Sequence, residues 1–268
     1  DKMLTGIFDS HAHYDDEAFD PDRQTLLQSL PEKGVVAVVN ASTEAQTAQA
    51  GIKYAEQYPF FWTTVGYHPQ CADKAVEGYL DEMEQQLQHP KAVAVGEIGL
   101  DYYWDDVPHK LQKKVFEQQL ALALELDLPV VVHDRQAHQD TLELLKKYKP
   151  RGFVHCFSGS VEMAREIYRL GMSVSLGGVV TFKNARHSVE VVKDAPLDRL
   201  LLETDAPYLA PVPFRGKRCD SSMILYSAEK MAQLRRMPVE ALLAATAENA
   251  CAMYGIDPKL LKGKEATP

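Results

Sequence analysis

The residues best suited to chemistry lie early in the chain, in Asp9-Ser10-His11-Ala12-His13. A short apolar run, Gly6-Ile7-Phe8, leads into them and reads as a β-strand. Side chains alternate faces along a strand, so His11, His13 and Asp9 are expected to point the same way. Two imidazoles so placed can share one metal ion, although a lone His-x-His is a weak sign. Its weight comes from what recurs downstream. Glu97 follows Val93-Ala94-Val95-Gly96, His133 follows Pro129-Val130-Val131-Val132, and His155 follows Gly152-Phe153-Val154. Asp205 ends Leu200-Leu201-Leu202-Glu203-Thr204-Asp205.

These residues need elements that bring them together. Apolar, β-branched runs fall at 6–9, 35–41, 60–66, 92–96, 129–132, 152–154, 172–176 and 199–203. Residues 35–39 and 130–132 are apolar without interruption, as in strands of a parallel sheet buried on both faces. Between the runs lie amphipathic stretches. Leu111, Val115, Leu122 and Leu126 form one stripe, predicting a helix over 109–127. Further helices are expected over 43–58, 74–88, 137–148, 161–170 and 184–194, and over 238–253 with Pro238 in the first turn. Eight βα units with no polar linker between them favour one (β/α)8 TIM barrel spanning 1–268 as a single domain. A doubly wound open sheet is the runner-up, weakened because no Gly-x-Gly-x-x-Gly opens the first helix. In a barrel, the C-terminal strand ends converge on one mouth. Four imidazoles and two carboxylates would meet there, a ligand set for two divalent ions. Without a cation they lack obvious mutual partners, and an unpaired buried polar group costs about 1–3 kcal/mol.

Composition narrows the function classes. Of 268 residues, 46% are hydrophobic and 25% charged, ordinary for a globular protein. No apolar run is long enough to span a membrane, and no leader pattern opens the chain. The cysteines at 71, 156, 219 and 251 share no Cys-x-x-Cys spacing, which argues against a disulfide framework and for a reducing, cytoplasmic home. The net charge of −9 fits poorly with a protein that coats nucleic acid, but leaves room for an enzyme that grips one end of a strand, where bound divalent metals supply the local positive charge. Asp1-Lys2 is set aside as a possible vector remnant, and the Lys-rich tail after Pro258 is read as loose.

The order His-x-His, Glu, His, His, Asp resembles the metal-dependent amidohydrolase superfamily, and more closely the TatD-type deoxyribonuclease family. The carrying segments are 8–13, Gly66-Tyr67-His68-Pro69, 96–102, 129–133, His155-Cys156-Phe157-Ser158-Gly159 and Leu202-Glu203-Thr204-Asp205-Ala206-Pro207-Tyr208. The likeness covers the chain to about Tyr254. It implies one ion held by His11, His13, Glu97 and Asp205, and a second held by Glu97, His133 and His155, with Glu97 bridging. Zinc, manganese or magnesium would serve, and four imidazoles favour a transition ion over magnesium. Asp205 is the expected proton acceptor for the attacking water, and the 3′-terminal nucleotide of a DNA strand, or of an RNA strand, the expected leaving group. Two departures from the family pattern leave substrate preference open: Tyr14 where the family usually has Leu, and Cys219-Asp220-Ser221-Ser222 where it commonly has Asn and then Pro.

For substrate contacts, Arg135 lies two residues past His133 and could grip phosphate, or pair with Asp134 or Glu203. His68 ends the third strand, and Arg215, Lys217 and Arg218 form a basic loop after the eighth. Glu203 shares a strand face with Asp205 and is expected at the same mouth, supporting an imidazole or Arg135. Tyr102, Tyr103 and Trp104 could stack on a base or pack against the rim. Cys156 is read as core. Besides the nuclease, the same residues would suit a hydrolase of small amides, esters or lactones, or a non-catalytic binding barrel, which an intact ligand set disfavours.

Overall fold

In a computed structural model that describes residues 4–261, eight strands form one parallel sheet in sequence order. They are β1 (Ile7–Ala12), β2 (Val35–Asn40), β3 (Phe61–Val65), β4 (Ala92–Asp101), β5 (Val130–Arg135), β6 (Gly152–Val154), β7 (Ser173–Leu176) and β8 (Leu200–Leu202). Parallel ladders join each strand to the next from β1 to β8. The seam between β8 and β1 is closed past the strand ends, where Asp205 N–H donates to His11 O at 2.9 Å and His13 N–H to Ala206 O at 2.7 Å. This is a single (β/α)8 TIM barrel, as the alternation of runs and stripes implies.

The helices are α1 (Arg23–Ser29), α2 (Ala45–Gln57), α3 (Tyr79–Gln86), α4 (His109–Leu126), α5 (His138–Tyr148), α6 (Val161–Arg169), α7 (Arg186–Asp194), α8 (Ile224–Arg235) and α9 (Val239–Tyr254). Two of these escape a reading of periodicity. α1 buries only Leu26 and Leu27, and α8 buries a face of Ile224, Ser227, Ala228, Met231 and Ala232, too small and mixed to stand out. The helix expected over 74–88 is shorter. Pro69 opens a 3-10 turn to Lys74, and Gly78 at φ +87° breaks the chain before α3 begins. Pro258–Leu261 forms a 3-10 turn, while Asp1-Lys2 and the rest of the Lys-rich tail lie outside the described residues.

Two apolar layers follow from strand alternation. Ile7, Val38, Phe61, Val95, Val132 and Leu202 pack outward with the helices, whereas Phe8, Val39, Trp62, Val131, Phe153 and Leu201 fill the barrel interior. Tyr254, at the end of α9, enters that inner layer, its ring against Phe8 and Phe153 and its hydroxyl donating to Ser10 O at 2.7 Å. Polar residues are therefore collected at the opposite end. Among the described residues no helix is long and apolar enough to cross a membrane.

Candidate metal centre

Glu97 is the pivot of the barrel mouth. β4 runs on to Asp101, past the expected end at 96, because its register shifts between Gly96 and Ile98 and its pairing with β5 continues to Arg135. Two glycines permit this. A Cβ on Gly96 would lie 2.7 Å from Val131 Cβ, and Gly99, at φ +146°, would place one 1.9 Å from His133 O. The Glu97 backbone is fixed from behind: its N–H donates to Ser42 O at 2.9 Å, and the hydroxyls of Thr64 and Ser42 donate to Gly96 O.

The two oxygens of this carboxylate serve different groups. Oε2 lies 3.3 Å from both His11 Nε2 and His13 Nε2. Asp205 Oδ1 completes that set, 3.3 Å from His11 Nε2 and 3.1 Å from His13 Nε2, which are themselves 3.2 Å apart. Separations of 3.1–3.3 Å are those of donor atoms that could share one small cation. Glu97 Oε2 is buried and finds no hydrogen-bond partner among the described residues, as expected of an atom that awaits a cation. On the other side, Glu97 Oε1 lies 2.9 Å from His133 Nδ1 and 2.7 Å from His155 Nε2, with 3.3 Å between the two nitrogens. The six residues named from the sequence thus come together as two donor sets around one carboxylate.

Outer partners settle which nitrogen faces inward. His13 Nδ1 donates to Ala41 O at 3.0 Å, His133 Nε2 to Asp101 Oδ2 at 2.9 Å, and His155 Nδ1 to Glu203 Oε2 at 3.3 Å. Each bond leaves a lone pair on the nitrogen that faces Glu97. Among the described residues His11 has no such partner; its Nδ1 is buried without a hydrogen bond, and its ring stacks on His155 at 3.7 Å. Burial opposes charge on His13, yet Asp205 and Glu97 outweigh it and hold the imidazole well above its usual pKa. His155 is held up likewise against burial by Glu97 and Glu203, and Glu97 is held well below the usual carboxylate range by His155 and His11, again against burial. The cluster demands positive charge, which protons or metal ions can supply.

Several residues stand elsewhere than the sequence suggests. Asp9 does not share the face of His11 and His13, because the ladder is irregular between Asp9 and Ala12. Its buried carboxylate spans the β1–β8 seam and accepts from Thr204 N, Thr204 Oγ1, Ser221 Oγ and His11 N. Desolvation raises its pKa to about 6 despite those four donors. The two departures from the family pattern meet here. Tyr14 Oη and Ser221 Oγ are 2.5 Å apart, and Ser221 N–H donates to the same phenol at 2.8 Å. Glu203, grouped with the substrate contacts, is buried behind His155, in the imidazole-supporting position its strand face suggests, and it also accepts from Cys156 N–H and Ser175 Oγ.

A cleft of about 330 Å³ opens over the cluster, lined by His13, His68, Glu97, His133 and Asp205 with Asp15, Asp16, Thr43, Cys71 and Tyr208. A larger hollow of about 680 Å³ beside α1 and α2 gathers no comparable donor set among the described residues. His68 accepts from Gln70 N–H through Nδ1 at 3.0 Å, so its neutral ring carries hydrogen on Nε2, 3.7 Å from Glu97 Oε1. Burial and the neighbouring His133 push its pKa down to about 3. Arg135 and Arg215 are absent from the cleft lining. Arg135 lies over the ring of Tyr103 at 3.8 Å, since Asp134 is taken by His138 at 2.5 Å. Arg215 rests on Phe182 at 3.7 Å, and Arg218 pairs with Asp22 through two bonds of 2.7 Å.

Sequence reasoning passes over Asp101 and the two glutamines that hold the mouth in place. Gln112 and Gln119 are buried on α4, seven residues apart. Gln112 clamps the backbone of Asp101 through N–H and C=O, at 2.8 and 3.0 Å, and Gln119 clamps Tyr67 in the same way at 2.7 and 3.2 Å. Polar residues on the buried stripe of 109–127 are the signal that could have revealed them.

The model of the TatD related DNase family matches residues 8–255. The metal-dependent hydrolase YabD of Bacillus subtilis (strain 168) is 41% identical over 254 residues, covering 94% of this chain and 100% of YabD. The 3′-5′ RNA nuclease TATDN2 of Homo sapiens is 37% identical over 73% of this chain, a match that spans 27% of that longer protein. Among solved structures, the TatD homologue YJJV of Escherichia coli K12 superposes with a TM-score of 0.89 at 32% identity, covering 94% of this chain and 99% of YJJV.

Proposed function

The chain belongs to the TatD related DNase family of metal-dependent hydrolases, and on that premise we propose that it is a two-metal deoxyribonuclease that removes nucleotides from the 3′ end of a DNA strand. One ion would be held by His11, His13, Glu97 and Asp205, the other by Glu97, His133 and His155. The observation that carries the reading is the division of Glu97, with each oxygen serving a separate donor set. Nitrogen-rich sets suit zinc or manganese better than magnesium.

Divalent ions so held would supply Lewis acidity to the phosphodiester and bring the pKa of water near neutrality. The remaining work falls to side chains. Asp205, kept anionic against burial by His11 and His13, stands at the cleft lining where it can orient the attacking water and take its proton. Glu97 fixes the spacing of the two sets. His68, neutral and carrying hydrogen on Nε2, offers the substrate phosphate a donor that costs no charge burial. Arg135, on the rim two residues beyond His133, adds a planar cation for an adjacent phosphate.

Digestion of a 3′-labelled single-stranded DNA with manganese or magnesium tests the proposal. Release of labelled mononucleotide, abolished by chelator and by Glu97→Ala, is expected. An intact label, with turnover of small esters or lactones instead, would transfer the same metal centre to the amidohydrolase reading. Faster cleavage of RNA than of DNA would correct the substrate and leave the mechanism standing.

A further inference from the structure

The loop after β4, Tyr102-Tyr103-Trp104-Asp105-Asp106, divides its aromatic residues between two tasks. Tyr102 turns in, stacking on His109 at 3.7 Å and donating to Asp140 at 2.6 Å. Tyr103 and Trp104 remain 47% and 48% exposed, with their rings 4.7 Å apart and nearly perpendicular. Leaving the Trp104 ring half in water forgoes burial that the neighbouring Tyr102 achieves. Nor is the pair loosely hung. Tyr103 N–H donates to Asp101 Oδ1 at 3.0 Å, the carboxylate whose other oxygen holds His133, and Tyr102 N–H donates to Arg135 O at 2.9 Å. The aromatic rim is thereby fixed to the two strand ends that flank the second donor set.

Arg135 gives the rim its chemical character. Its guanidinium lies 3.8 Å from the Tyr103 ring centre and 5.9 Å from that of Trp104. Resting on rings rather than in an ion pair, it keeps its planar fork of N–H groups for an outside acceptor. It stands about 7 Å along the strand from His133, two residues of extended chain. Asp105 and Asp106 beside Trp104 repel anions, so the indole suits an uncharged aromatic ring and the arginine suits the phosphate attached to it.

We propose that Trp104 and Arg135 form a nucleotide subsite outside the metal cleft, the indole stacking on an unpaired base and the guanidinium binding its phosphate. This rests on the nuclease reading and deepens it by giving one nucleotide of the strand a binding place beside the metal cleft.

The chain has two tryptophans, and Trp62 is 4% exposed, so emission that responds to added ligand reports Trp104. The protein as purified is titrated with a phosphorothioate-linked oligothymidylate and with an abasic phosphorothioate oligomer of equal length. Quenching of Trp104 emission by the first and not the second is expected. Trp104→Ala should raise KM for single-stranded DNA about tenfold, within the five- to 150-fold range of one lost stack, with kcat within about twofold and most of the loss recovered in Trp104→Phe. Equal quenching by both oligomers, or an unchanged KM in Trp104→Ala, would overturn the subsite while leaving the nuclease reading intact. If the wild-type protein cuts no oligonucleotide, the nuclease reading fails, and the subsite then stands or falls on the two titrations.

Discussion

Replacing Asp101 by Asn should weaken one metal ion and spare the other. Asp101 has a buried carboxylate that accepts from His133 Nε2 at 2.9 Å and from Tyr103 N–H at 3.0 Å. The first bond keeps hydrogen on the outer nitrogen of His133 and leaves the inner one free to ligate. Asn keeps the shape and one acceptor oxygen but removes the negative charge that makes the imidazole more basic. Losing such an outer carboxylate typically costs 10- to 100-fold in metal affinity, about 1.4–2.7 kcal/mol. His13, in the opposite set, is oriented instead by the carbonyl of Ala41, so the change reaches that set only through Glu97 and the stack of His11 on His155. Calorimetric titration of the metal-free protein with manganese or zinc should give two classes of site. In Asp101→Asn the class containing His133 should weaken by that factor and the other should stay within about twofold. Two unchanged affinities, or an equal loss in both, would refute the division of Glu97 into separate sites.

Three further outcomes follow from the same geometry. Asp9→Ala removes a buried acceptor shared by Thr204 and Ser221; orphaning these donors should cost about 3 kcal/mol and lower Tm by roughly 6–12 °C, and a shift under about 2 °C in thermal melts would show that the seam does not depend on it. Arg135→Ala should raise KM for single-stranded DNA about tenfold, whereas Arg215→Ala, which only uncovers Phe182, should leave it within about twofold; the reverse order in steady-state kinetics would restore the loop after β8 as the phosphate contact. The hydrogen bond to Asp134 raises the pKa of His138 above its unfolded value, against burial, so its stabilisation is complete below about pH 6.5 and fades as pH rises through the folded pKa. With the imidazole 41% exposed the effect should stay under about 1 kcal/mol, visible as a fall in Tm from pH 6 to 8 that His138→Gln lacks, and equal slopes in the two proteins would count against it.

The barrel and its mouth were legible because the relevant signals are local. Uninterrupted apolar runs such as 130–132 mark strands buried on both faces, and a polar residue ending such a run is conspicuous. What escaped depends on register and on long-range partners. Asp9 was placed on the face of His11 by alternation, and an irregular ladder moved it to the seam. Asp101 lay hidden because β4 runs five residues past its expected end, through two glycines whose need appears only against the backbone of β5. Spacing puts Arg135 and Glu203 near the mouth, but their partners, an aromatic rim and the far side of His155, come from other loops. The meeting of Tyr14 with Ser221 joins positions 207 residues apart, a distance that no motif reading spans.

The central claim is that one glutamate divides two cations. Anomalous diffraction from crystals grown with manganese or zinc measures this directly. Two peaks are expected, one among His11, His13 and Asp205 and one between His133 and His155, with Glu97 touching both. A single peak away from Glu97, or metal only at the surface, would contradict the account.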